Sequence, residues 1–269
     1  MGNIKQPCVD GYFYPGNPEI LKKTVHTLIM KAKSYDIEPP KAIIAPHAGY
    51  VYSGPVAATI YKTLIPSKDL IKRVVLLGPA HRLAFNGIAT TNCEGFATPL
   101  GNVPIDLKAI TSVLSLPNIQ VLEHAYDMEH SLEVQLPFLQ VILSNFSLVP
   151  FVVGNAKADD VANLILHLWG GPETLIVISS DLSHYYDYAT AQNFDLAASK
   201  AITDLAADDL KDHHACGRLP IKGLLLAAAK LQLQAQVLDL RNSGDTAGAK
   251  DRVVGYGAYH FKGAANARV

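Results

Sequence analysis

Four histidines and one aspartate stand where a chain of this kind can do chemistry. His47 follows the apolar run Ala42–Ala45 and a proline. His81 follows Val74–Gly78 and a Pro-Ala step. His184 follows Leu175–Ser180 and the step Asp181-Leu182-Ser183. Asp245 follows Val237–Leu240 and the turn residues Arg241–Gly244. His130 lies in EHAYDMEHSLE, residues 123–133, a polar stretch ahead of an apolar helix. Two neutral imidazoles and one carboxylate with open positions make the facial triad of non-haem iron(II) sites, and zinc accepts the same donors. We read His47, His81 and Asp245 as those ligands. His184 and His130 are then free for proton transfer, since an unperturbed imidazole titrates near neutrality. Asp127, Glu129 and Asp181 are the acids that could orient ligand histidines.

These residues must be brought together by the elements that carry them. Short apolar runs bounded by turn signals read as buried strands: 42–45, 73–78, 148–153, 174–180, 235–240 and 253–261. Between most of them lie stretches with helical spacing. Asn17-Pro18-Glu19 is a helix start, with a capping side chain, a proline in the first turn and an acid at the positive end of the dipole. Gly54-Pro55 reads as the opening of a second helix, and Asp106 as the cap of a third running to Leu114. Further helices are expected over 134–143, 159–169, 189–206 and 219–231. Residues 90–98 read as loop or edge strand. Strands alternating with helices predict an α/β fold with a mostly parallel sheet and helices on both faces, the chain forming one domain over 1–269. In such a sheet, residues past the carboxyl ends of the strands share one edge, where open α/β sheets bind ligands.

Each residue also has a plainer reading. A single histidine after a strand is more often a hydrogen-bonded loop residue; four such carboxyl ends together reverse that balance. Asp245, within Asn-Ser-Gly-Asp, has the alternative role of turn former. Cys216, in Cys-Gly-Arg-Leu-Pro, reads as a small thiol packed beside a helix start rather than a nucleophile. Arg218 offers a planar fork to a substrate carboxylate or phosphate, and Tyr50, Tyr52 and Ser53 are candidates for the cleft mouth. His124, His213 and His214 are expected to be solvated, and His26, His167 and His260 to be structural.

Composition excludes several classes. The chain has 269 residues, 49% hydrophobic and 17% charged, with a net charge of −1 and a pI near 6.8. Ordinary globular chains carry roughly 25% charged residues, so this one buries more than most. It has no basic block for nucleic acid or an anionic membrane, and no apolar stretch of the ~20 residues that a spanning helix needs. The first residues, MGNIKQPCVDGYFYPG, have no apolar signal core. Gln6 stands where a myristoylation signal has Ser or Thr. Three scattered cysteines fit a reducing compartment. A cytoplasmic location is expected.

Taken in order, IIAPHAGYVYSGPVAA, LLGPAH, DMEHSLEVQLPF, VISSDLSH, CGRLPI and NSGDTAG…VVGYGA resemble the Memo family, also called AmmeMemoRadiSam system protein B. The resemblance spans about Pro7 to Ala258. It implies the fold of the LigB-type class III extradiol dioxygenases, related to the phosphorylase/hydrolase-like folds. It places His47 and His81 on the two metal-binding histidines, Asp245 on the third ligand, and His184 and His130 on the active-site histidines that handle protons and substrate. The third ligand is a Glu in the dioxygenases and a Cys in animal Memo proteins. A carboxylate there implies an iron(II) site more than a copper(I) one. The expected function is a non-haem iron(II) redox enzyme acting on a small aromatic or diol substrate, with zinc or copper as other cations. The alternatives are a zinc hydrolase in the same cleft or a non-catalytic phosphopeptide-binding scaffold. The family name further implies radical-SAM and AMMECR-type partners.

Overall fold

Four strands that are apolar along almost their whole length lie side by side and parallel, and the rest of the protein is built outward from them. The computed structural model describes residues 3–263. In chain order the strands are β1 (Ile4–Lys5), β2 (Ala42–Ala45), β3 (Arg73–Pro79), β4 (Ile88–Thr90), β5 (Gly95–Thr98), β6 (Gly101–Pro104), β7 (Ile119–Val121), β8 (Ser147–Val153), β9 (Thr174–Ser179), β10 (His184–Tyr186), β11 (Gln234–Asn242) and β12 (Val253–Lys262). The helices are α1 (Pro18–Lys31), α2 (Tyr50–Lys62), α3 (Leu107–Val113), α4 (Leu136–Ile142), α5 (Ala158–His167), α6 (Tyr188–Thr203), α7 (Arg218–Lys230) and α8 (Ser243–Thr246).

The inner strands run in the order β2-β9-β3-β8, all parallel. Every residue of β2 and β9 is buried, as are all but the first of β3 and β8. A strand buried on both faces needs a helical layer on each side. Helices α1, α2 and α4 pack together, with α2 against β2, β11 and β12; α5 packs on α7, which lies against β3 and β9. The strands next to this core are antiparallel to it: β12 pairs antiparallel with β2, β10 and β11, and β4 antiparallel with β8, while β7 at the far edge runs parallel to β4. A separate sheet, β1-β5-β6, stands apart from the large one.

Local signals placed most of these elements. Asn17 caps α1 by accepting a hydrogen bond from Ile20 N at 3.1 Å. Asp106 caps α3 through Ala109 N at 2.9 Å and pairs with Arg73. The second helix departs from expectation. It starts at Tyr50, not at Gly54-Pro55, so those two residues sit inside its first turns. Gly54 lets α1 come close there: a Cβ would lie 2.9 Å from the end of the Leu28 side chain. Among the described residues, no helix is long and apolar enough to cross a membrane.

Candidate metal centre

The carboxyl ends of β2, β3 and β9 open on one cleft of about 750 Å³, lined by His47, His81, His130, His184, Asp181 and Cys216 among others. His47 follows β2 across Pro46 and is buried. Its main-chain N–H donates to Asp181 Oδ1 at 2.7 Å, and its ring Nδ1 lies 2.8 Å from Ser179 Oγ. Ser179 has one hydroxyl proton, and it donates that proton to Ser131 O. The Ser179 oxygen must therefore accept from His47, which places the imidazole proton on Nδ1 and leaves Nε2 bare. The Sγ of Cys216 lies 3.3 Å from that Nε2.

His81 follows β3 and is held the same way. Glu129 Oε2 accepts its main-chain N–H at 2.5 Å and Oε1 accepts its ring Nδ1–H at 2.9 Å. A carboxylate fixing the far nitrogen of an imidazole presents the other nitrogen as a donor pair. Burial pushes the Glu129 carboxyl up, but the His81 hydrogen bond and charge, with the His81 and Ser131 amides, outweigh it and hold it at about 2. The His47 and His81 rings meet edge to face at 5.2 Å. One donor atom each from His47, His81 and Cys216 lies within 4.8 Å of the others, so the three could hold a metal ion. His81, Glu129 and His130 form an overlapping group. There the Glu129 oxygens are already taken by His81 and Ser131, so we read Glu129 as support rather than ligand.

The donor set fits a borderline or soft cation: two imidazoles held through Nδ1 with Nε2 free, and one sulfur. Burial raises the Cys216 thiol to about 12, so it is protonated until a cation displaces its proton. Burial, then the neighbouring histidines, drives His47 well below the usual imidazole range. Burial and then the His81 charge lower His130 to about 4. His130 stacks on His81 at 4.7 Å and against Phe13 at 4.7 Å, with its Nδ1 buried and without a hydrogen-bond partner. His184 donates Nδ1–H to Leu182 O at 2.7 Å, and burial lowers its pKa. All three are ready as neutral bases.

The remaining expected residues fall elsewhere. Asp245 is exposed and outside the cleft. Its strand, β11, is an outer one joined to β2 only through β12. Asp245 instead closes the capping box of α8, accepting Asn242 N–H at 3.0 Å, and takes the Tyr188 hydroxyl at 2.5 Å. Its turn-forming role is the one the structure displays, and Cys216 stands where a third donor was sought. Cys216 reaches His47 because Gly217 lets α7 begin against Ser180: a Cβ on Gly217 would lie 2.6 Å from that side chain. Nothing in its spacing announced this. Tyr50 points into the core, between Tyr14 and Phe138, with its hydroxyl on Val134 O at 2.7 Å. The early start of α2 turned it inward, while Tyr52 lines the cleft. Arg218 pairs with Asp212 at 3.0 Å in a neighbouring groove that shares Cys216 but none of the four cleft histidines. Asp127 is exposed and pairs with His124 rather than with His47 or His81. Asp181 does line the cleft, but its carboxyl holds the His47 main chain rather than the ring. His214 is buried, its Nδ1 accepting from Lys211 N, while His213 is exposed as expected.

Comparison with known proteins gives the family of the chain. A family model described as Memo-like protein matches residues 5–260. A MEMO1 family protein of Aquifex aeolicus is 35% identical over 264 residues, covering 94% of this chain and 97% of its own. One from Methanosarcina mazei is 36% identical over 269 residues, covering 95% and 98%. Among solved structures, an uncharacterized protein of Escherichia coli K12 superposes with a TM-score of 0.55 at 14% identity, covering 80% of this chain and 98% of its own. That last likeness speaks for the fold alone. With near full-length matches to the family model and to these relatives, the chain belongs to the Memo family.

Proposed function

We propose that this protein is a metal-dependent redox enzyme acting on a small aromatic or diol-like substrate, its cation held by His47, His81 and Cys216. The observation that carries the reading is the convergence of these three donor atoms within 4.8 Å on the floor of a roomy cleft. The two ring donors have their protons fixed on the far nitrogen, so no rearrangement is needed before binding. When bound, iron(II) or copper would supply one-electron chemistry, and zinc would supply a Lewis acid.

The chain's own residues do the rest. His184, with Nδ1–H tied to Leu182 O, has a bare Nε2 to accept a proton from a substrate hydroxyl. His130, stacked on His81 and neutral at physiological pH, is the second proton carrier. Phe13, Tyr52 and Tyr256 give the cleft aromatic walls suited to a ring.

A thiol among the donors also favours zinc relative to an all-oxygen and nitrogen set, and a zinc hydrolase is the second reading. Metal analysis of untagged protein, followed by oxygen uptake over a catechol panel after anaerobic iron(II) loading, separates the two. Oxygen uptake that disappears in His184→Ala supports the redox reading. Zinc at full occupancy with no uptake on any diol supports hydrolysis and overturns it.

A further inference from the structure

The proposed function leaves two features of the cleft unused: its arginines and its strained rim. Arg82 directly follows His81, and Arg252 directly precedes β12; both line the cleft. Neither is in an ion pair among the described residues, although the chain's other close Arg–carboxylate partners are paired: Arg73 with Asp106, Arg218 with Asp212, Arg241 with Asp239. The cleft offers these cations no exposed acid. Its lining carboxyl is Asp181, which is buried and occupied by the His47 main chain. Two exposed guanidinium groups lining a concave site that offers them no free counter-ion set up a positive potential that an anionic ligand can answer.

The rim beside Arg252 is built at a cost. Tyr185 has φ +63°, a left-handed backbone unusual for an aromatic residue, at the register shift between β10 and β12. That conformation holds a 63% exposed ring at the cleft mouth, and the Arg252 guanidinium lies over the ring, 5.3 Å from its centre. The stacked pair orients the planar fork of Arg252 while leaving its N–H donors without an acidic partner. Arg82, next to His81 in the chain, also lines the cleft, near enough to His130 for its charge to bear on that ring.

We propose that the substrate is a small organic anion, its carboxylate or phosphoryl group taken by Arg252 on Tyr185 and drawn in by Arg82, with its reacting end toward His47 and His81. This rests on the cleft being the substrate site, as argued above, and adds the charge of what enters it. An acid group at the mouth would fix which end of the molecule faces the donor atoms, which a neutral diol could not do with these side chains.

The test is calorimetric titration of the full-length protein with 3,4-dihydroxybenzoate and with its methyl ester, which share a ring and differ in charge. Metal content is measured separately on the same samples. The acid is expected to bind at least about tenfold more tightly than the ester, about 1.4 kcal/mol. The preference should fall toward unity in Arg252→Gln, fall partly in Arg82→Gln, and narrow with added salt. Both arginines are on the surface, so the variants keep the fold. Sodium acetate or inorganic phosphate should displace the acid, and which does so at lower concentration identifies the group preferred. Equal binding of acid and ester, a preference intact in both variants, or no saturable binding of the acid at millimolar concentration overturns the proposal. Protein that holds no metal yet still prefers the acid would refute the metal reading and leave this one standing; metal-replete protein with no preference would do the reverse.

Discussion

The Cys216 sulfur lies 3.3 Å from Nε2 of His47, the nitrogen that the Ser179 hydroxyl leaves without a proton. A cation binding between them must displace the thiol proton, which burial holds on up to about pH 12. Metal affinity should therefore rise about tenfold per pH unit between about pH 7 and 9, one thiol proton leaving for each cation bound. Competition titrations with a chelator across that range measure the slope. Cys216→Ala should flatten it; an equally steep slope in that variant would place the released proton elsewhere.

Glu129 does two jobs for His81, accepting both its amide and its ring N–H. Glu129→Gln offers one acceptor oxygen where two are used and removes the charge. Metal affinity should drop 10- to 100-fold, the usual cost of losing a group behind a ligand histidine. Stability should change in its pH dependence too. A carboxyl held at about 2 against an ordinary 4.5 contributes stability that is present above 4.5 and lost as pH falls toward 2. Denaturant melts of metal-free protein between those limits should show a shallower acid loss in the variant.

Asp181 behaves oppositely. Burial raises its carboxyl from 3.8 to about 7, despite the amides of His47 and Ala48 that favour its charge. Its contribution is fully present below 3.8 and is lost as pH rises through about 7. Asp181→Asn keeps an acceptor for the His47 amide and removes the buried charge. The metal-free variant should be more stable than the parent at pH 8 and little different at pH 4. A variant less stable at pH 8 would mean that the ionised form is favoured in the folded protein.

What could be read before the fold was known follows from where each residue sits on its element. His47, His81 and His184 come just past the ends of inner parallel strands, and apolar runs ended by Pro or Ser-Asp mark such ends well. Asp245 obeyed the same local rule but follows β11, which lies beyond β12 at the outside of the sheet; pairing order is a tertiary property that no run of residues encodes. Cys216 was legible only as a thiol before a helix. Its approach to His47 depends on α7 packing close to Ser180 across Gly217, a contact between segments 36 residues apart. Tyr50 faces inward because α2 starts four residues ahead of Gly54-Pro55, a shift at the scale where capping signals are weakest: Gly49 makes no side-chain cap.

Glu133 ties the amino-terminal segment to the cleft. Its carboxylate accepts from Cys8 N, Val9 N and the Tyr14 hydroxyl at 2.8, 3.0 and 2.6 Å. The same segment carries Phe13 onto His130. Glu133→Ala strands two buried donors, the Val9 amide and the Tyr14 hydroxyl, and two half-buried ones, the amide and thiol of Cys8; it should cost about 3 kcal/mol or more, whereas Tyr14→Phe should cost about 1 kcal/mol. Urea melts of the two variants check the ratio; equal losses would mean that the tyrosine alone anchors the segment.

The most direct test of the central claim is a cobalt(II) titration of metal-free protein, followed by near-ultraviolet absorption. Wild type and Asp245→Ala should each take up one equivalent with a sulfur-to-cobalt charge-transfer band. Cys216→Ala should lack the band and bind far more weakly. A band that survives in Cys216→Ala, or stoichiometric binding lost in Asp245→Ala and kept in Cys216→Ala, would contradict the assignment of His47, His81 and Cys216 as the metal site.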